Sequence, residues 1–461
     1  MRGKFCETAR YGTPVAQATG PGHLSRVNIC AAASMADRSM RPESCDVAIV
    51  GAGAAGLATA IFTRRLNPSC SVVVFDGARA PGAKILVSGG SRCNVTNASV
   101  TEHDFWGGPS PIVRRVLRAF TVADTVAFFR EIGVRLHEET GGKLFPDTNR
   151  ARDVLDALLR ETRRVGAIVV AGTRVTDLAQ APDGNGFRGV AGDGEVTAAR
   201  VVLATGGRAL PKSGSDGAGY ELARRAGHAI VETTPALVPL ALAPSDTVHE
   251  AVPGVSHDVE LAVRVDGAVA IRLAGALLWT HFGVSGPVVL NASRHVLRAE
   301  VEGRTVELFA NVCPGRGFDA VDAAWQRSAQ ATPKASVQAT LAGLVPASVA
   351  AAFLRQLEID GGVTLAHFSR GERRRLVAAL VEWPLPVTGS RGYSYAEATA
   401  GGVTLTEIDA GTMASRVCRG LSLVGEILDV DGRIGGFNFQ WAWSSGYVAG
   451  RALARAFDGR R

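Results

Sequence analysis

Three glycines, Gly51, Gly53 and Gly56, form the spacing GxGxxG between the apolar run VAIV and an Ala-rich stretch. Such glycines allow a tight turn, the close approach of a pyrophosphate and the packing of a helix on a strand. The helix N-terminus offers free N–H groups to the phosphates. Asp76 ends a second apolar run, 20 residues after Gly56, where a carboxylate accepts hydrogen bonds from a ribose. The pattern predicts a dinucleotide site.

A second polar segment, GAKILVSGGSRCNVTN, occupies residues 82–97. Its glycines let the backbone approach a ligand, and Lys84, Arg92 and Asn94 supply hydrogen-bond donors. A plain nicotinamide-binding domain continues promptly with its next βα unit. A long Gly-rich loop at this point instead favours a large, deeply buried cofactor, and the segment therefore predicts FAD.

Candidate proton donors lie further along the chain. LLWTHFGVSGP, at residues 277–287, holds Thr280, His281 and Ser285. Histidine titrates near neutrality and suits general acid catalysis, although this segment is also typical of a helix start. Tyr393 and Tyr395 in RGYSY are further candidates. The hydride chemistry itself belongs to the flavin.

The elements that position these residues can be placed from apolar runs. Buried parallel strands are expected at residues 47–50, 71–76 and 198–204, because such strands read as continuous apolar segments. Short strand-like pieces before residue 198, with turn signals at Asp183-Gly184 and Asp193-Gly194, predict a β-meander. A helix is expected from about Asn438.

Residues 235–392 change in character. Strand-like pieces at residues 259–274 and 305–312 precede a more helical part at 335–381. Cofactor-type segments lie on both sides. The sequence therefore predicts an α/β fold in which a Rossmann-like FAD-binding domain with a β-meander (residues 45–234 and 393–461) is interrupted by an inserted domain, β-rich and then helical. Residues 1–44 are expected to be a disordered tail or an over-extended start, with Met35 and Met40 as alternative initiators.

The composition of the chain limits the classes of partner that the protein is expected to bind. The 461 residues carry a net charge of +7 but no basic run with interleaved aromatics, so no nucleic acid is expected. No apolar stretch reaches the roughly 20 residues of a membrane span. The seven cysteines form no CxxC pair, which argues against a metal site or a disulfide framework and favours the reducing cytoplasm. A small-molecule substrate is the expected partner, and the oligomeric state is left open.

Six ordered segments make the chain from Asp46 onward resemble the bacterial BaiN-like and aminoacetone-oxidase-like FAD-dependent oxidoreductases. They are GAKILVSGGSRCNVTN, KLFPDTNRARDVLDAL, VVLATGGRALPKSGSDGAGY, LLWTHFGVSGP, TAGGVTL and GEILDVDGRIGGFNFQWAWSSGYVAG. The resemblance implies a glutathione-reductase-like FAD domain. It also implies that the insert covers the flavin and shapes the substrate pocket.

The resemblance also implies particular cofactor contacts. Glu426 occupies the place of an acid on the ribityl chain, and the helix after Gly435-Gly436 points at the flavin pyrimidine, where its dipole stabilises negative charge. Lys84 offsets phosphate charge, and the turn from Arg92 to Asn94 lies by the flavin. The full set of expected cofactor contacts is Gly51, Gly53, Ala54, Ala55, Gly56, Asp76, Gly77, Lys84, Gly89, Arg92, Cys93, Asn94, Asn97, Val175, Thr205, Gly206, Gly207, Gly425, Glu426, Gly435, Gly436, Phe437 and Asn438. Arg92, His281 and Tyr393 are the catalytic candidates.

The chain departs from the family pattern in two places. Ser91 stands where members usually carry a third glycine, and Arg433-Ile434 stand in place of Pro-Thr. A serine is strained if the backbone there needs a positive φ.

Two activities follow from the resemblance. One is NAD(P)H-linked reduction of a conjugated C=C bond in a small organic or steroid-like substrate, and the other is amine oxidation with oxygen. No second GxGxxG follows a later strand, so NAD(P)H is expected to dock transiently at the flavin face. Two readings from other classes, a flavoprotein that binds RNA and a flavin redox sensor, stay open.

Overall fold

The computed structural model describes residues 42–182 and 185–458. Residues 1–41, which make up most of the expected tail, and the predicted turn at Asp183-Gly184 lie outside the described residues.

Strands and helices alternate along much of the chain. In order, the strands are β1 (Ser44–Val50), β2 (Val72–Phe75), β3 (Thr96–Asn97), β4 (Phe105–Gly107), β5 (Leu136–Glu139), β6 (Lys143–Pro146), β7 (Ile168–Val170), β8 (Val175–Gln180), β9 (Phe187–Ala191), β10 (Gly194–Leu203), β11 (Ile230–Ala236), β12 (Leu240–Leu242), β13 (Ser256–Val265), β14 (Ala268–Thr280), β15 (Gly283–Ser285), β16 (Val306–Asn311), β17 (Trp383–Leu385), β18 (Val387–Ser390), β19 (Ala398–Val403), β20 (Leu421–Leu423) and β21 (Val430–Gly432).

The α-helices are α1 (Ala54–Leu66), α2 (Ala83–Ser91), α3 (Ser110–Ala119), α4 (Val122–Glu131), α5 (Ala151–Arg164), α6 (Ala218–Arg225), α7 (Val248–Ala251), α8 (Pro287–Val301), α9 (Phe318–Ala331), α10 (Val337–Leu341), α11 (Ala347–Gln356), α12 (Arg370–Val381) and α13 (Phe437–Ala456). Among the described residues, no helix is both long enough and apolar enough to span a membrane.

The first sheet has the order β7-β2-β1-β10, and β20 also pairs with β10. These five strands are parallel to their neighbours. In the second half of β1, in β2 and at the end of β10 the residues are apolar and almost fully buried, as expected for the middle of a parallel sheet that is covered on both faces. The first half of β10 pairs antiparallel with β9, and β9 pairs antiparallel with β8. This is the predicted Rossmann-like sheet with its β-meander, and the predicted fold class is confirmed.

The segment at residues 82–97 differs from the expected loop. Residues 83–91 form α2, although Ser88, Gly89 and Gly90 leave helical backbone geometry. The run AKILV favours helix, and the glycines only interrupt it. The sequence interpretation gave the glycines too much weight.

A second hydrophobic core lies between residues 240 and 385. It packs around an antiparallel sheet with the order β17-β16-β13-β14-β15-β12-β18. The first core takes its buried residues from 47–223 and 403–457. Strands β11 and β19, on either side of the second core, pair with each other antiparallel. These features support the proposed insertion at residues 235–392, whose bounds stay a prediction.

Candidate functional site

A cavity of about 700 Å³ lies at the carboxyl ends of β1, β2 and β10, where Val50, Phe75 and Ala204 line it. Ligands of open parallel sheets bind at this edge, beside the strand ends. The volume falls within the range of about 300–1,000 Å³ that is usual for ligand pockets.

The three motif glycines have three different surroundings. A side chain at Gly51 would overlap the backbone of Ala204, and one at Gly56 would overlap the carbonyl oxygen of Gly51. Gly53 caps α1 and has nothing within 4 Å of its Cβ position. Gly51 and Gly56 are therefore required by packing, whereas Gly53 leaves open space on the cavity at the helix N-terminus.

Asp76 ties the ends of β1 and β2 together. Its carboxylate accepts hydrogen bonds from the backbone N–H of Ala52 (2.7 Å) and of Ala78 (2.8 Å). It also lines the cavity, so its remaining lone pairs can accept a ribose hydroxyl.

Lys84 forms an ion pair with Glu426. The other oxygen of Glu426 accepts a hydrogen bond of 2.8 Å from the backbone N–H of Thr399. The ammonium group that was expected to offset phosphate charge thus neutralises the acid expected beside the ribityl chain. Both side chains line the cavity.

The N-terminus of α13 reaches the same cavity through Gly435 and Gly436, which have φ values of 122° and 94°. A Cβ at Gly436 would overlap Thr96. Asn97 donates to the carbonyl oxygen of Gly435 (3.1 Å), and Asn438 bonds both the N–H and the carbonyl of Gly432. These bonds fix the loop that delivers the helix dipole to the cavity.

The end of α2 is under backbone strain. Ser91 and Cys93 have φ values of 67° and 61°, in the left-handed region that disfavours side chains. The positive φ that strains a serine is therefore present at Ser91. Arg92 donates to Glu139 (2.7 Å) and lies 4.0 Å over the ring of Phe145.

Most predicted cofactor contacts line the cavity. They are Gly51, Gly53, Ala54, Ala55, Asp76, Gly77, Lys84, Gly89, Arg92, Asn94, Val175, Thr205, Gly206, Gly425, Glu426, Gly435, Gly436 and Asn438.

The remaining predicted contacts lie behind the cavity wall. Gly56 and Gly207 provide packing room, the latter against Thr399. Phe437 and Cys93 are buried, and burial raises the pKa of the Cys93 thiol to about 12. Asn97 acts through its bond to Gly435.

Three predicted proton donors lie away from the cavity wall. His281 is one of the two residues between β14 and β15, at an exposed hairpin turn, with its ring against Phe282. The Tyr393 hydroxyl donates to Thr233 (2.9 Å). Tyr395 is exposed beneath Arg391. Of the catalytic candidates, Arg92 alone lines the cavity.

The cavity wall also contains residues that the sequence interpretation did not assign. They include Lys143, Arg174, Ser215, Leu237 and Glu397. Lys143 and Ser215 fall within segments that carried the family resemblance. Glu397 had a local signal as well, because it is a charged residue between two alanines at the start of an apolar strand.

Helix α8 contacts the loop before α13. Arg294 forms a two-point ion pair with the buried carboxylate of Asp431, at 2.7 and 3.0 Å. Asn291 accepts a hydrogen bond of 2.8 Å from the N–H of Ile434. Burial raises the pKa of Asp431 and Arg294 opposes that shift. The second core is thereby joined to the cavity wall.

The residues of this cavity fit FAD. Among the buried polar atoms of the described residues, Asn94 Oδ1 and Ser215 Oγ have no hydrogen-bond partner, and both residues line the cavity. The open space at Gly53, the N-termini of α1 and α13, and a basic surplus in the lining suit a diphosphate and a flavin. Among the described residues, no group of three His, Cys, Asp or Glu side chains is placed to hold a metal ion.

Comparisons with known proteins agree with this geometry. The family model described as HI0933-like protein Rossmann domain matches residues 45–452. The chain is 33% identical over 409 residues to the 3-dehydro-bile acid delta(4,6)-reductase of Clostridium scindens, covering 88% of this chain and 98% of that protein. It is 32% identical over 409 residues to the ribosomal RNA dihydrouridine synthase of Haemophilus influenzae, covering 88% and 98%. It is 32% identical over 415 residues to the enzyme of the same name from Escherichia coli, covering 90% and 99%.

Proposed function

The chain belongs to the HI0933-like family of FAD-binding proteins and is an FAD-dependent oxidoreductase, and we propose that it reduces a C=C bond conjugated with a carbonyl group. One observation carries this proposal. The relatives at 33% and 32% identity are named for different substrates, a 3-dehydro-bile acid and uridine in RNA. The bond chemistry is nevertheless shared, because uracil and a 3-oxo steroid with delta(4,6) unsaturation both have a C=C bond conjugated with a carbonyl.

The chain's own residues supply binding and orientation. Asp76 would hold a ribose and Gly53 would admit the pyrophosphate. Glu426, neutralised by Lys84, and the N-terminus of α13 would lie at the flavin end. When bound, FAD supplies the hydride chemistry. We propose NAD(P)H as the electron source, docking transiently, because no second dinucleotide fingerprint follows a later strand.

A small organic or steroid-like substrate is the first candidate. Uridine in RNA is the second, and a surface feature favours it. The guanidinium of Arg391 contacts the rings of Phe282 (4.4 Å to the ring centre) and Tyr395 (4.3 Å), and that of Arg208 lies 4.8 Å from the ring centre of Tyr393. Basic side chains interleaved with aromatic rings suit the stacking of unpaired bases. The expectation that no nucleic acid binds stays a prediction.

The test is NADH or NADPH oxidation by the FAD-loaded protein under anaerobic conditions. A 3-oxo-4-ene steroid, cyclohexenone and a ribosomal RNA transcript serve as separate acceptors. The proposal expects steady oxidation with at least one of them and a product that has gained two hydrogens. Flavin reduction by an amine, with the flavin left oxidised by both NADH and NADPH, would replace the proposal with the oxidase alternative.

A further inference from the structure

Glu397 places a carboxyl group on the cavity wall, and the reaction proposed above gives this carboxyl no role. It lies between the buried residues Ala396 and Ala398, at the start of β19, yet its own side chain is accessible and lines the cavity. Among the described residues, no side chain or backbone group forms a hydrogen bond or ion pair with its carboxyl. A polar group that lines a ligand cavity and has no protein partner is free to contact the ligand.

The backbone after Glu397 locates it along the cavity. Two residues further on, the N–H of Thr399 donates to Glu426 (2.8 Å), and the positive charges of Lys84 and Lys143 act to lower the pKa of Glu397. Lys84 pairs with Glu426, and the Lys143 side chain passes 3.8 Å from the Cβ position of Gly435. Glu397 therefore lies at the end formed by Glu426 and the N-terminus of α13. This is the end assigned to the flavin rather than to the ribose held by Asp76.

The backbone fixes this position. The N–H of Glu397 donates to the carbonyl of Leu237 (3.2 Å), and Leu237 has a φ of 53° although it is buried. Leu237 and Ala398 pack in one apolar cluster with Ile434. A leucine held in left-handed geometry is strained, and such strain is common where a functional group must be positioned.

The surroundings shift the pKa of Glu397 upward. The residue itself is accessible to solvent, while its two neighbours in the chain, Ala396 and Ala398, are fully buried. Desolvation raises the pKa of Glu397, although Lys84 and Lys143 act in the opposite direction. Arg92, Arg433 and Glu426 are the other charged groups at this part of the cavity wall, and each is already paired with another side chain.

We propose that Glu397 is the proton donor of the reduction; this inference rests on the function proposed above. The β-carbon of the conjugated C=C bond takes a hydride and its π electrons move to the α-carbon as an enolate. The α-carbon takes the proton of the Glu397 carboxyl, and the resulting carboxylate regains a proton from water. The two electrons come from NAD(P)H through the flavin, so the substrate gains one hydride and one proton.

Infrared spectroscopy tests, without turnover, whether the Glu397 carboxyl is protonated. The infrared spectrum of the FAD-loaded protein at neutral pH should contain a protonated-carboxyl C=O band that shifts in ²H₂O. The band should be missing from Glu397→Gln and present in the control Glu138→Gln, which changes an exposed glutamate outside the cavity wall. Equal spectra for wild type and Glu397→Gln would overturn the proposal.

The rate of flavin reoxidation tests whether Glu397 transfers its proton to the substrate. Chemically reduced wild type, Glu397→Gln, Glu397→Asp and Glu138→Gln are each mixed anaerobically with a 3-oxo-4-ene steroid. Flavin reoxidation should slow by about 10²- to 10⁴-fold in Glu397→Gln, the usual contribution of a general acid, and less in Glu397→Asp. Flavin reduction by NADPH and FAD content should stay at wild-type values.

The outcomes separate the two proposals. Reoxidation of Glu397→Gln at the wild-type rate would overturn the role of Glu397, and so would loss of FAD from that variant. If the wild type itself reduces no conjugated acceptor, the proposed function fails, while the infrared band still decides whether Glu397 holds a proton.

Discussion

Two alanine substitutions in one motif should have opposite consequences. In Gly53→Ala the new methyl group points into open space beside the cavity, whereas in Gly56→Ala it overlaps the carbonyl oxygen of Gly51. The first change should weaken FAD binding and leave the fold intact. The second should destabilise the fold itself.

The magnitudes follow from these contacts. Forcing one extra methyl group into a close-packed contact costs about 1–3 kcal/mol. For Gly53→Ala this cost falls on the bound cofactor and corresponds to about a 5- to 150-fold rise in the dissociation constant for FAD. For Gly56→Ala the same cost lowers the free energy of unfolding. It exceeds the roughly 1 kcal/mol by which alanine is more favourable than glycine within a helix.

Gly317→Ala is the matched control. Gly317 also caps a helix, with φ −90° against −83° at Gly53, and it too has nothing within 4 Å of its Cβ position. It does not line the cavity. Any loss of capping should therefore be similar in both variants, and only the cofactor contact differs.

The assay has two parts. Urea denaturation of the apoproteins gives the free energy of unfolding, and quenching of flavin fluorescence gives the dissociation constant. Gly53→Ala and Gly317→Ala should unfold alike, and only Gly53→Ala should bind FAD more weakly. An unchanged FAD affinity in Gly53→Ala would refute the assignment of this loop to the pyrophosphate.

Three further predictions concern stability. Ser91→Gly should raise the free energy of unfolding by about 0.5–1 kcal/mol, because relief of the positive φ exceeds the added freedom of the unfolded chain; a fall in the urea midpoint would contradict this. Arg294→Met should lower the free energy of unfolding by about 3–5 kcal/mol, because it leaves the buried Asp431 without its partner. Urea denaturation measures this loss, and Arg272→Met, at an exposed arginine, is the control. Burial, with Arg294 beside it, lowers the pKa of His295 from 6.5 to about 3, so below pH 6.5 the unfolded chain binds a proton that the folded protein does not. Stability should fall between pH 6.5 and 3 by at most about 1.4 kcal/mol per pH unit, and His295→Phe should lose that part of the slope; equal slopes in both proteins would contradict it.

The parts of the site that depend on local sequence could be predicted. The GxGxxG turn, the acid that ends β2 and the glycines before α13 each follow from a backbone requirement that only certain residues meet. The sequence also indicated that a serine at position 91 is strained if its φ is positive, and the structure has a positive φ there. The parallel strands could be recognised because their residues are apolar without alternation.

The parts that depend on distant contacts could not. From the sequence, Lys84 is a reasonable partner for a phosphate. In the fold it pairs with Glu426, which lies 342 positions later in the chain. His281 looked chemically suited, but a two-residue hairpin turn places it at the surface. Glu397 went unassigned because its place on the cavity wall depends on a distant contact, the bond of its N–H to Leu237 beside the pairing of β11 with β19.

A single anaerobic turnover shows whether the bound flavin reduces a conjugated C=C bond. The FAD-loaded protein is reduced with dithionite, freed of excess reductant and mixed with a 3-oxo-4-ene steroid or a ribosomal RNA transcript. We expect the visible flavin absorbance to return without oxygen and mass spectrometry to show that the acceptor has gained two hydrogens. A flavin that stays reduced with every conjugated acceptor, and reoxidises only when oxygen is admitted, would contradict this expectation.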